Sequence, residues 1–165
     1  MKRALSLMLA IGMLFALTGC GTGTGDGEKL TCTLEIRCDT LLDHLDELSE
    51  GKAALVPEDG RILPAVEVEI QSGATVIDVL RQVLREEKIH FEYTDATAYD
   101  SAYIEGIGNL YEFDCGPQSG WMYSVNGVYP GLGCGSYTLS EGDAIVFSYT
   151  CDLGVDLGAE RQNEE

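Results

Sequence analysis

An α+β fold, a mixed sheet with one main helix packed on one face, follows from three features of the sequence. Short segments of apolar–polar alternation recur along the chain, the clearest at residues 30–38, 66–70 and 144–151. One stretch, residues 75–87, repeats its apolar side chains at helical spacing instead. Residues 120–127 read Gly-Trp-Met-Tyr-Ser-Val-Asn-Gly, a strand rhythm that stops at Asn126-Gly127. Asn-Gly is a strong hairpin signal because a type I′ turn needs positive φ at both central residues.

In chain order, the first strand places Cys32, Leu34, Ile36 and Cys38 on one face and Thr33, Glu35 and Arg37 on the other. Residues 39–50 read as a short helix. Thr40 and Asp43 resemble a capping box, Leu41, Leu45 and Leu48 form the apolar stripe, and Gly51 stops it. Its acids Asp43, Asp46, Glu47 and Glu50 form a solvated face, since no glycine-punctuated calcium loop is present. Residues 53–64 connect through the turn Pro57-Glu58-Asp59-Gly60, and Ile62-Leu63 lead into a second strand. There Val66, Val68 and Ile70 alternate with Glu67 and Glu69, up to Gln71-Ser72-Gly73.

Thr75, with Asp78 three residues on, resembles a capping box for the main helix. Its apolar face is Val76, Val79, Leu80, Val83 and Leu84, opposite Arg81, Gln82, Arg85 and Glu86. His90 follows within an alternation of Ile89, Phe91 and Tyr93, which predicts a half-buried structural histidine. Residues 95–114 mix Tyr99, Tyr103, Ile104, Ile107, Leu110, Tyr111 and Phe113 with Gly106, Gly108 and Asn109, the pattern of short strands and loops. After Asn126-Gly127 the chain is expected to turn back at once through Val128 and Tyr129. Tyr137 and Leu139 lead into the turn Ser140-Glu141-Gly142-Asp143, and the closing strand puts Ile145, Phe147 and Tyr149 on one face. Residues 155–165 are expected to be an acidic, frayed tail. This order of elements favours a β-grasp-like topology.

Ahead of the domain, Met1-Lys2-Arg3 is a short basic start, and residues 4–17 form an apolar run of signal-peptide length. The run ends in Leu17-Thr18-Gly19-Cys20, which resembles the lipobox of bacterial lipoproteins. That resemblance implies a signal peptide over residues 1–19, cleavage before Cys20 and diacylation of its side chain. Two acyl chains suffice for stable anchoring, here at the outer face of the cytoplasmic membrane, on the bacterial cell surface. The glycine-rich residues 20–29 then read as a flexible tether, and residues 30–154 as one domain.

The 165-residue chain carries 10 Lys+Arg against 28 Asp+Glu, a formal charge of −18. Loss of the leader would remove Lys2 and Arg3 and no acid. Such a balance argues against nucleic acid as partner, because phosphate binding requires basic patches. Apart from Cys20 there are Cys32, Cys38, Cys115, Cys134 and Cys151. Outside the cytosol these suit disulfides, with one thiol left free or paired between chains. A zinc site is the rival, but no Cys-x-x-Cys is present and neither histidine lies near a cysteine pair in sequence.

Three segments resemble one known family. Ser72-Gly73-Ala74-Thr75-Val76-Ile77-Asp78-Val79-Leu80 is similar to the start of its helix, and residues 120–127 to its central hairpin. Leu139-Ser140-Glu141-Gly142-Asp143-Ala144-Ile145 with Tyr149-Thr150-Cys151-Asp152-Leu153-Gly154 is similar to its closing strand. The family is the domain of unknown function DUF4430, itself similar to the C-terminal β domain of transcobalamin and intrinsic factor. The likeness spans about residues 31–154 and implies a β-grasp domain that binds rather than reacts. In the cobalamin carriers the vitamin lies between this domain and a large helical one, for which this chain has no room. In a β-grasp sheet the first and last strands run parallel, which would bring Cys38 near Cys151. Cys115 and Cys134 would staple the base of the hairpin, leaving Cys32 over.

The resemblance implies capture of a small ligand, with a corrinoid such as cobalamin as the named candidate and no cofactor. Trp121, Tyr123 and Tyr129 would stack on it, and Asn126 would supply polar contacts. Uptake would then involve a transporter or surface protein as partner. The alternative is a non-enzymatic adhesion or interaction module, favoured if Tyr93, Tyr99, Tyr103, Tyr111 and Tyr137 form one patch. No nucleophile elbow, His-Glu-x-x-His or phosphate loop points to catalysis.

Overall fold

The computed structural model describes residues 28–96 and 101–159. The strands and helix follow in the order β1 (Lys29–Arg37), β2 (Arg61–Gln71), α1 (Val76–Glu86), β3 (Phe91–Ala96), β4 (Ser101–Ile107), β5 (Leu110–Tyr111), β6 (Gly120–Val125) and β7 (Ala144–Thr150). The leader, the lipobox with Cys20, Tyr99 and residues 160–165 lie outside the described residues.

Four strands form a mixed sheet in the order β2-β1-β7-β6, and β3-β4-β5 form a smaller antiparallel sheet. β1 is antiparallel to β2 and parallel to β7, which is antiparallel to β6. Two hairpin-like edges around a central parallel pair, with a helix crossing between the halves, is β-grasp topology.

Alternation sets which face of the large sheet is apolar. Leu34 aligns with Ile145, Ile36 with Phe147, Trp121 with Tyr149 and Tyr123 with Phe147. All of these point to the side covered by α1, whose Val76, Val79, Leu80, Val83 and Leu84 are buried there with Ile104 and Ile107 of β4. A second, smaller cluster forms where β1 and β7 end: Cys38, Leu41, Leu110, Cys115 and Tyr149. The reverse face of the sheet carries Glu35, Arg37, Met122 and Ser148.

The helix starts as its sequence dictates. Thr75 gives both its backbone N–H (3.0 Å) and its hydroxyl (2.7 Å) to the Asp78 carboxylate. The first predicted helix is different: only a 3-10 turn forms, at Asp39–Asp43, followed by turns. Thr40 is drawn away from capping, because its hydroxyl donates to the Tyr149 carbonyl at 2.6 Å. Of the expected stripe, Leu41 is fully buried, Leu48 half-buried and Leu45 exposed. A tertiary bond has overridden the local cap.

β2 begins earlier than its alternation suggests and includes Pro64. Proline is tolerated there because β2 is an edge strand and its register with β1 shifts between Leu34 and Ile36. His90 is exposed rather than half-buried, its Nε2 lying 3.0 Å from Glu92 Oε1 and 3.1 Å from the Tyr111 hydroxyl. The segment after β7 is folded as far as Ala159. Asp156 accepts from the Thr150 hydroxyl (2.5 Å) and the Cys151 N–H (2.7 Å), and Leu153 N–H bonds Gln118 O (2.9 Å). Residues 155–159, expected to be part of a frayed tail, are therefore held by hydrogen bonds and turns.

Candidate functional site

Asn126 and Gly127 have φ of 53° and 78°, the double left-handed turn that Asn-Gly predicts. Asn126 is fixed from both ends of its amide. Its Nδ2 donates to Asp143 Oδ1 (2.8 Å) and its Oδ1 accepts the Ala144 N–H (2.9 Å). The turn is thus tied to the start of β7, so Asn126 acts as a structural clasp. The return strand is a single bridge, Val125 to Val128. Pro130 has no N–H to extend the ladder, and the chain leaves the sheet. β6 pairs with β7 instead.

Trp121 and Tyr123 share the apolar face. The indole N–H of Trp121 donates to Leu110 O (2.9 Å), and its ring meets Tyr149 edge-on, centroids 5.2 Å apart at 87°. Trp121 touches both buried clusters and forms the wall between them. Tyr123 stacks on Phe147 at 5.7 Å and meets Tyr137 edge-on at 6.4 Å. Burial raises its hydroxyl pKa well above the usual tyrosine range, and that hydroxyl donates to Leu132 O at 2.7 Å.

Tyr129 is elsewhere. Its hydroxyl bonds Ser148, with Arg37 and Asp156 nearby, and burial raises its pKa. Ser148 pairs with Met122 on the reverse face of β6–β7. The structure therefore brings Trp121 and Tyr123 together, puts Asn126 at the turn, and separates Tyr129 from them by the thickness of the sheet. The three expected stacking residues, Trp121, Tyr123 and Tyr129, do not share one surface, and Asn126 is committed to the turn.

What converges beside Tyr123 is a shallow depression of about 340 Å³, lined by Ser101, Ala102 and Tyr103 of β4 and by Gly131, Leu132, Gly133 and Ser136. Leu132 is 54 % exposed and Tyr103 48 %, so two large side chains stand open to solvent on the rim of the depression. Gly133 is required here: a Cβ at this position would lie 2.0 Å from Ser101 Oγ, so only glycine lets the loop rest on β4. The Tyr103 hydroxyl donates to Glu112, and burial with that carboxylate pushes its pKa up to about 12. Of this loop the sequence singles out Cys134 alone and not Leu132, because isolated loop residues carry no periodic signal. The glycine-rich residues 130–135 after the hairpin are the cue that the sequence offers.

Among the described residues, the other tyrosines of the expected patch have separate partners. Tyr93 stacks on Phe91 under Arg81, Tyr137 packs by Tyr123, and Tyr111 bonds Glu92.

The cysteines fall into two groups. Cys32 and Cys134 belong to the main cluster, and the Cys134 thiol donates to Ala102 O at 3.3 Å. Cys38, Cys115 and Cys151 gather around the smaller one. The expected staple between Cys115 and Cys134 is not what the fold brings into contact: Cys115 Sγ lies 3.3 Å from Cys151 Sγ. The cause is the tight turn after β5, in which Phe113 N–H bonds Ser119 O (3.1 Å) and Cys115 N–H bonds Ser119 Oγ (3.0 Å). It folds Cys115 back over the end of β7. Cys38 does reach the same cluster as Cys151, as the parallel pairing of β1 and β7 requires, but the neighbour that Cys151 touches is Cys115.

Fold and site together define a small α+β domain of β-grasp topology, closed on its aromatic face by a second sheet and a glycine-rich loop. Residues 73–151 match the model of the family described as Domain of unknown function (DUF4430). No curated protein matches the chain. Among solved structures, the crystal structure of haptocorrin in complex with Cbi is similar, with 14 % identity and a TM-score of 0.57 over 76 % of this chain. The likeness is one of fold, and it spans 26 % of the haptocorrin chain. A crystal structure described as a "putative metal binding protein from Ruminococcus gnavus ATCC 29149" matches over 73 % of this chain and 96 % of its own, at 16 % identity and a TM-score of 0.40.

Proposed function

We propose that this domain captures a small, partly apolar ligand at the depression beside Tyr123, with a corrinoid such as cobalamin as candidate. The observation that carries the reading is the pairing of exposed Leu132 and Tyr103 across an open concavity whose rim is pinned by Tyr123. Apolar walls with a few convergent polar groups are what small-molecule sites use. The shared fold with a protein solved in complex with Cbi supports a corrinoid over other flat ligands. On this reading Trp121 belongs to the packing with Leu110 and Tyr149 and does not stack on the ligand.

Lipid attachment at Cys20 would hold the domain at the outer face of the cytoplasmic membrane, where it would pass ligand to a transporter or surface protein. Incorporation of labelled fatty acid, abolished by Cys20→Ser, tests the anchor separately.

Equilibrium dialysis with cobalamin and with cobinamide tests the site. Saturable binding, weakened about tenfold or more by Leu132→Asp (~1.4 kcal/mol or above) and less by Tyr129→Phe, is the expected result. Retention of neither compound at millimolar concentration would sink the corrinoid reading. Equal binding by wild type and Leu132→Asp would move the site away from the depression.

A further inference from the structure

The geometry points to Cys115 and Cys151 as a disulfide pair, closing the turn after β5 onto the end of β7. Their sulfurs are 3.3 Å apart, and both backbones are already held in place. On one side, Ser119 anchors the turn through Cys115 N–H and through its own bond to Gly116 O (2.9 Å). On the other, Asp156 and the Thr150 hydroxyl hold residues 151–154: Cys151 N–H reaches Asp156 at 2.7 Å, and Asp152 and Gly154 N–H groups reach Thr150 Oγ1 at 3.1 and 2.7 Å. The two segments are joined directly by Leu153 N–H to Gln118 O. A disulfide bond is about 2.05 Å long, so closing the gap needs side-chain rotation and little backbone movement.

The alternatives are less well placed. Cys134 is engaged with Ala102 O in the main cluster, next to α1. Cys38 is fully buried under Leu41 and Tyr149, without solvent access for an oxidant. Cys151 is half-buried and Cys115 is 5 % exposed, against complete burial of Cys38.

The reaction is thiol–disulfide exchange with a small-molecule or protein disulfide. Cys151 loses its proton, and its sulfur attacks one sulfur of the oxidant, expelling the first thiol. Cys115, deprotonated in turn, attacks Cys151 Sγ and expels the second. Two protons and two electrons leave the pair, and the oxidant is reduced to two thiols. Both thiols titrate above the ordinary cysteine range, chiefly through burial, which marks the product as a structural bond rather than a reactive centre.

Full-length protein is treated with glutathione disulfide, alkylated, digested without reductant and mapped by mass spectrometry. One cross-linked peptide joining Cys115 to Cys151 is expected, with Cys32, Cys38 and Cys134 alkylated once the protein is unfolded. Reduction should lower the melting temperature of wild type and leave that of the Cys115→Ser/Cys151→Ser double variant unchanged. A Cys115–Cys134 or Cys38–Cys151 peptide would overturn the assignment. So would alkylation of both Cys115 and Cys151 after oxidation, or a glutathione adduct on Cys151 that never resolves.

Discussion

Replacing Tyr149 with phenylalanine removes one oxygen from the junction of both apolar clusters. The ring is fully buried, and its hydroxyl donates to the Tyr111 carbonyl at 2.6 Å and lies 3.0 Å from Ser119 Oγ. Phenylalanine keeps the edge-on contact with Trp121, so packing is little changed. Ser119 retains Gly116 O and the Cys115 N–H as partners, whereas the Tyr111 carbonyl loses its hydroxyl donor. That carbonyl keeps the Asp114 N–H as a donor at 3.2 Å, so the change removes one buried bond and costs about 1 kcal/mol. With a urea slope of about 1.5 kcal/mol/M for a domain of this size, the midpoint should fall by about 0.7 M with the slope unchanged. Trp121 is the chain's only tryptophan and touches Tyr149, so its fluorescence reports the transition directly. The measurement is made under reductant, to keep cysteine oxidation out of the comparison. A loss below about 0.5 kcal/mol would refute the reasoning, since the hydroxyl would then be solvated in the folded state.

Burial raises the Tyr149 hydroxyl to about 12, the Cys38 thiol to about 12 and the Cys32 and Cys134 thiols to about 11. Because the folded state favours their neutral forms, their contribution is intact below the unfolded values of about 8.5 for Cys and 10 for Tyr. It is lost as pH rises toward 12; urea midpoints at pH 8, 10 and 11.5 should therefore fall in that order, and a flat profile would count against the burial. Asn126→Ala should destabilise by about 2 kcal/mol, losing two side-chain bonds and placing alanine at positive φ. Asn126→Gly, which removes only the bonds, should cost measurably less by the same urea assay. Gly60→Ala should be the most damaging single methyl, above about 2 kcal/mol. Its Cβ would lie 2.4 Å from Asp39 Cα at φ +67°, and circular dichroism melting would show it.

Much of the fold is legible because alternation within a strand is a local signal. Residues 32, 34, 36 and 38, or 145, 147 and 149, declare their shared face without reference to anything distant, and Thr75 with Asp78 declares where the helix begins. The site is less legible because its geometry depends on what turns do. Alternation extends no further than the turn, so nothing before the structure says that Tyr129 rounds Asn126-Gly127 onto the reverse face. Nor does the spacing of Cys115 and Cys134 about the hairpin reveal that the turn after β5 doubles back. Thr40 is the same lesson at smaller scale: its local cap loses to a carbonyl on Tyr149, far along the chain.

The placement of β1 has a mechanical consequence. It is the first strand of the domain, yet it sits inside the sheet, bonded along one edge to β2 and along the other to β7. A pull on Glu28 along the strand loads both ladders side-on, so their bonds resist together in shear. An outer strand would peel away bond by bond under the same pull. The domain is therefore gripped at its N-terminal end by an interior strand rather than by one that can peel.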